Sequence, residues 1–116
     1  SVDHTRCFCY INDAVEMLWR MMELPDCEGK TLNLGTQNPE VTIKEVVEAC
    51  FAAVGKELKI DAKPASSGSP ARRGPDMSLT IELTGFESKV NLREGVARTY
   101  EWYLKNIFEG EGTTAQ

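Results

Sequence analysis

The sequence predicts one α/β (α+β) domain, a small mixed sheet with about four helices, on three observations. Apolar stretches of strand length stand at residues 7–11, 30–35 and 57–63. Around them run segments whose apolar residues recur every three or four positions behind capping residues. The length, 116 residues, suits a single small domain with a real core, and no repeat or linker divides it.

The elements follow in order. "CFCYI" (7–11) has the aromatic and β-branched content of a buried strand, with Cys7 and Cys9 on one face. Asn12 or Asp13 can cap the helix after it, and Asp13 with Glu16 has capping-box spacing. Val15, Leu18, Trp19 and Met22 share one face of that helix, which Pro25 ends. "KTLNLG" (30–35) reads as a second buried strand and "TQNPE" (36–40) as the turn leaving it.

Thr42 and Glu45 form the next capping box, with Val41 and Val46 placed to staple the entry. Ile43, Val46, Val47, Cys50, Phe51 and Val54 line one face, and Gly55 supplies a left-handed stop. "ELKIDAK" (57–63) alternates Leu58, Ile60 and Ala62 with polar residues, as a half-exposed strand does. The loop "SSGSPARRGPDMSL" (66–79) comes next, and its Asp76 can cap a short helix to about Gly85. Phe86 and Val90 flank a turn. Asn91 and Glu94 then cap a last helix carrying Leu92, Val96, Tyr100, Tyr103, Leu104 and Ile107 inward. Residues 1–108 make the domain, and "EGEGTTAQ" (109–116) is expected to be a disordered tail.

Composition limits the partners. The net charge is −5, which opposes nucleic acid and anionic membranes, so any anion site has to be built locally. No apolar run approaches membrane-span length and no basic-then-apolar leader opens the sequence, so a cytoplasmic setting is expected. Cys7, Cys9, Cys27 and Cys50 read as reduced structural thiols, since His4 is the single histidine and no second Cys pair has zinc spacing. No metal site is expected.

Catalytic motifs are missing as well. There is no glycine-rich dinucleotide turn, G-x-S-x-G elbow, P-loop or H-E-x-x-H. His4 reads as solvated, Tyr10 as a strand aromatic, and Trp19 and Trp102 as packing residues. The carboxylates mostly occupy capping or exposed helix positions, so no catalytic residue is assigned. The arginines carry more information. Arg6 stands at the mouth of a strand, and Arg72 and Arg73 lie on the Ser/Gly/Pro loop. Guanidinium forks suit phosphate oxygens, and three could clamp a diphosphate if the fold joins the two loops; solvated surface charge is the competing reading.

"TRCFCYINDAVEML", "KTLNLGTQNPEVTIKEVVEA" and "SPARRGPDMSLTIELTGFESKVNLREGVARTYEWY" resemble, in that order, segments of the extended short-chain dehydrogenase/reductases that act on nucleotide sugars. The nearest look is to UDP-glucuronate decarboxylases, dTDP-glucose 4,6-dehydratases and UDP-glucose 4-epimerases. The similarity spans about residues 5 to 104. It implies the C-terminal, substrate-binding part of such an extended Rossmann-type enzyme, without the NAD-binding part. Arg6 would then contact the nucleotide diphosphate. Of Arg72 and Arg73, the second is preferred for holding the nucleotide end, without excluding its neighbour. Asp13 is structural in this reading.

Ser69, Asn12, Leu79, Phe86 and Ser88 depart from the usual residues of the pattern. The family's cofactor turn and Y-x-x-x-K pair have no counterpart, so NAD or NADP would belong to the parent enzyme and none to this chain. The implied partners are a UDP- or dTDP-linked sugar and, because strands and helix faces lose their covering, a second copy of the chain in a homodimer or larger oligomer. The rival expectation is a free-standing interaction or oligomerisation module that kept the fold without catalysis.

Overall fold

A computed structural model describes residues 1–109. Three two-residue strands, β1 (Thr5–Arg6), β2 (Val41–Thr42) and β3 (Arg72–Arg73), form one sheet in the order β2-β1-β3. β1 is antiparallel to β2 and parallel to β3, so the sheet is mixed. The helices are α1 (Ile11–Glu23), α2 (Ile43–Val54), α3 (Ser78–Thr84) and α4 (Leu92–Tyr103). A small mixed sheet with four helices is the predicted class.

The three predicted strands are not where the sheet is. Residues 7–10 are extended but unpaired, and α1 begins directly at Ile11 with Tyr10 at its N-cap. Tyr10 therefore packs as a cap residue: its ring lies against buried Gly95 of α4, where an added Cβ would come within 3.3 Å of Cδ1. Residues 30–35 carry no ladder either. Side-chain bonds join them to the later segments instead: Thr80 Oγ1 donates to the Asn33 carbonyl at 2.6 Å, and the Asn33 side chain donates through Nδ2 to the Asp76 carbonyl at 3.0 Å. Residues 57–63 are exposed throughout and unpaired.

Helix termini follow their local chemistry. Thr42 and Glu45 complete the capping box, with Glu45 N–H donating to Thr42 Oγ1 at 3.1 Å and Thr42 N–H to Glu45 Oε2 at 2.6 Å. Gly55 closes α2 at φ 75°, a conformation that costs residues with a Cβ. Asn91 caps α4 by accepting the Glu94 N–H at 2.9 Å. Asp76 acts one position earlier than predicted. Met77 is the N-cap of α3, while Asp76 Oδ1 accepts the Ser78 N–H at 2.9 Å. Asp13 is no cap at all. It is buried in the first turn of α1, and its Oδ2 accepts the N–H groups of Lys89 and Val90, both at 3.0 Å, tying α1 to the turn before α4.

The core lies between α1 and α3: Met17, Met77 and Phe86 are buried, with Cys9, Met21 and Ile81 packed around them. Phe86 is flanked by Arg20 and Lys89, whose cations lie 5.0 and 5.2 Å from its ring centre. α2 packs along α4, and Leu92, Val96, Tyr100, Leu104 and Ile107 are half-buried there, whereas Tyr103 is exposed. On α2, Ala49 is buried while Cys50 and Val54 are exposed, so its inner face is rotated from the predicted one. On α1 the predicted apolar face is bare: Val15, Leu18, Trp19 and Met22 are 49–73% exposed, as is Ile11 beside them at the helix start. Trp102 is also exposed, so packing accounts for neither tryptophan.

All four cysteines are free thiols. No helix among the described residues is long and apolar enough to cross a membrane. Among the predicted tail residues, Glu109 is still helical; residues 110–116 lie outside those described.

Candidate functional site

Sheet register brings the arginines together. Thr5 pairs with Arg72 and Arg6 with Arg73. Directly paired residues of neighbouring strands share a face, and successive residues alternate. Arg6 and Arg73 therefore occupy one face, Thr5 and Arg72 the other. The arginine pair predicted to lie on a loop is itself a strand, and its two members point opposite ways.

The Thr5–Arg72 face is closed by a carboxylate. Arg72 grips Glu40 through both arms of its fork, Nε to Oε1 at 2.8 Å and Nη2 to Oε2 at 2.7 Å. Thr5 Oγ1 donates to the same Glu40 Oε1. The hydrogen bonds from Arg72 and then from Thr5 hold the Glu40 carboxyl down at about 2, below the usual carboxylate range. A depressed folded pKa contributes stability above the unfolded value of about 4.3 and loses it as pH falls toward 2, so this grip is complete at neutral pH. Arg72 is shifted upward by the same hydrogen bond and by the Glu40 charge.

Cys7 adjoins this cluster. Its Sγ donates to the Gln37 carbonyl at 3.3 Å and lies where a Cβ on Gly74 would stand 2.8 Å away, so glycine lets β3 leave the sheet beside the thiol. Burial, and then the Glu40 charge, push the Cys7 thiol up, which keeps it protonated and a poor nucleophile.

The opposite face has cations without carboxylates. Arg6 Nη1 donates to the Thr5 carbonyl at 2.7 Å and Nη2 reaches Ser69 Oγ at 3.4 Å. The Arg73 side chain is exposed and makes no hydrogen bond or ion pair among the described residues. Two guanidinium groups side by side, with neutral partners, suit a ligand with several anionic oxygens. No group of three or more acidic, His or Cys side chains could hold a metal among the described residues.

A further cavity lies elsewhere. An open groove of about 870 Å³ runs between the start of α1, α2 and α4, lined by residues including Phe8, Tyr10, Val54, Leu92, Tyr100 and Phe108. Its lining contains no charged side chain, so it has nothing to orient a diphosphate. Glu40 is the residue that sequence reasoning missed. It read as part of a turn, and only the spatial approach of Arg72 gives it a role.

No protein-family model matches the sequence. The chain is 40% identical over 93 residues to UDP-glucuronic acid decarboxylase 6 of Arabidopsis thaliana, covering 79% of this chain and 26% of that protein. Its fold is similar to the UDP-glucose 4-epimerase of Thermotoga maritima, solved with UDP-glucose, at a TM-score of 0.80 and 24% identity over 92% of this chain and 34% of that one. It is likewise similar to the UDP-glucuronic acid 4-epimerase of Bacillus cereus, solved with UDP-glucuronic acid and NAD, at a TM-score of 0.79 and 21% identity over 90% of this chain and 33% of that one. The chain thus spans about a quarter of the decarboxylase and a third of each epimerase. In sequence it is the counterpart of one part of the UDP-glucuronic acid decarboxylases, and in fold of one part of the UDP-sugar epimerases.

Proposed function

We propose that this chain is the nucleotide-sugar-binding portion of an NAD(P)-dependent epimerase, dehydratase or decarboxylase, orienting a UDP- or dTDP-linked sugar through its diphosphate. The observation that carries the reading is the β1–β3 register, with Arg6 and Arg73 on one face and no carboxylate neutralising either. Arg73 is favoured over Arg72 because Glu40 already occupies the Arg72 fork.

We assign NAD or NADP, which the family uses, to a part of the enzyme outside this chain. The residues leading into the helices support this. α1 starts from Cys7-Phe8-Cys9-Tyr10 and α2 from Pro39-Glu40-Val41-Thr42, neither offering the close backbone approach of a glycine-rich turn. The chain is therefore expected to bind without catalysing.

With one wall of a cleft, affinity is expected near millimolar, about −4 kcal/mol, from charge-assisted bonds of about 1.5–3 kcal/mol each. Titration of the chain with UDP, followed by NMR, is expected to shift amides near residue 6 and residues 68–76. Arg73→Ala should abolish those shifts, and added NAD should yield no product from a UDP- or dTDP-hexose. Shifts clustered elsewhere, shifts surviving in Arg73→Ala, or sustained turnover would overturn the reading.

A second reading, a non-catalytic module acting through association, is favoured by the bare apolar face of α1.

A further inference from the structure

We propose that Glu40 is a positioning residue that fastens β3 to β1 through Thr5 and Arg72 and so places Arg73 beside Arg6. The proposal rests on the nucleotide-binding reading above for its consequence, but its structural content is independent of any ligand.

The pairing that creates the arginine face is short. β1 and β3 contribute two residues each, supported by the Thr5 N–H donating to the Ala71 carbonyl at 2.8 Å. The segment leading into β3, residues 57–69, is exposed, and is tied to the chain start by Ser1 Oγ donating to the Lys63 carbonyl and by Arg6 Nη2 reaching Ser69 Oγ at 3.4 Å. In any strand, a slip of one residue moves every side chain to the opposite face. Here a slip would exchange Arg72 and Arg73. Which arginine stands on the Arg6 face is therefore decided by where β3 docks on β1.

Glu40 fastens that docking. It lies one residue before β2, on the far side of β1 from β3, and its carboxylate meets Thr5 and Arg72 together. Thr5 and Arg72 are the paired residues of the observed register, so one carboxylate bridges both members of the pair across the sheet. If β3 came away from β1, the fork–fork contact would be lost with the pairing. The bidentate geometry makes the contact directional as well as attractive. The Glu40 side chain is only 26% exposed, so part of the contact is shielded from water. The clamp thus leaves Arg73 unpaired on the Arg6 face by occupying Arg72 on the other.

The test combines two measurements on the full chain. Amide hydrogen exchange at Thr5 reads the β1–β3 bond without ligand, and UDP titration reads the arginine face. Glu40→Gln is expected to speed Thr5 exchange and weaken UDP roughly three- to five-fold, the range of a good partly exposed ion pair. Arg72→Leu should do the same, and Glu40→Gln with Arg72→Leu should cost no more than either alone, because both remove one clamp. Charge reversal controls for misfolding: Glu40→Arg should weaken binding, and Glu40→Arg with Arg72→Glu should restore both readouts. Unchanged Thr5 exchange in Glu40→Gln would overturn the clamp. Additive losses, with Arg72→Leu the more damaging, would overturn it too, because Arg72 would then be touching phosphate itself. If UDP perturbs nothing in the unaltered chain, the nucleotide reading fails, and Thr5 exchange alone decides the clamp.

Discussion

Asp13 holds two backbone N–H groups with one carboxylate oxygen, in a place its sequence spacing assigned to helix capping. Asp13→Ala leaves Lys89 N–H and Val90 N–H without that acceptor. An unsatisfied buried polar group costs about 1–3 kcal/mol, so a loss of about 2–4 kcal/mol in urea unfolding is expected. Asp13→Asn keeps an acceptor oxygen and should lose about 1 kcal/mol. A loss under about 0.5 kcal/mol for the alanine variant would mean that water satisfies the turn. The arginines invert this lesson. Their chemistry was legible from residue type alone, because few other side chains stay charged and present a planar fork. Their division of labour was not, since it depends on Glu40, remote in sequence and joined only by folding.

Helices in this chain are written locally, and strands are not. Thr42, Glu45 and Gly55 bound α2 within a dozen residues, and each end is satisfied by groups within one turn. Thr42→Ala removes the acceptor of the Glu45 N–H and is expected to cost about 1 kcal/mol of stability, measurable by chemical denaturation; no loss would show that the Glu45 half of the box suffices. Strand signals fail for a physical reason. Apolar alternation in "KTLNLG" and "ELKIDAK" records that one face expects cover, but a ladder needs a neighbouring strand to supply N–H and C=O groups. In residues 30–35 the Asn33 carbonyl is met by the Thr80 hydroxyl rather than by a neighbouring strand. The strands that do form, at Thr5–Arg6 and Arg72–Arg73, are too short and too polar for any periodicity to betray them. Helix faces suffer similarly: α1 shows a clear apolar stripe, yet periodicity cannot say what covers it.

At the scale of the molecule, that stripe is the largest departure from a self-contained domain. Ile11, Val15, Leu18, Trp19 and Met22 form a continuous exposed row, while the helix of residues 43–54 has α4 against it. Bare apolar faces of this kind favour association, most simply as a two-fold pair. Light scattering over a dilution series is expected to report about twice the single-chain mass at high concentration, and Leu18→Lys with Trp19→Lys should return the monomer. A monomer at every concentration would rule out self-association through α1. The sheet has a different consequence. β1 joins Thr5 to Arg72 across more than half the chain, whereas each capped helix is complete within its own dozen residues. Contacts that close long loops carry the entropy cost of that closure and gain nothing until the intervening chain is in place. The pairing of Arg6 with Arg73 is therefore among the last events of folding, and an anion held between them would lock shut a loop of more than half the chain.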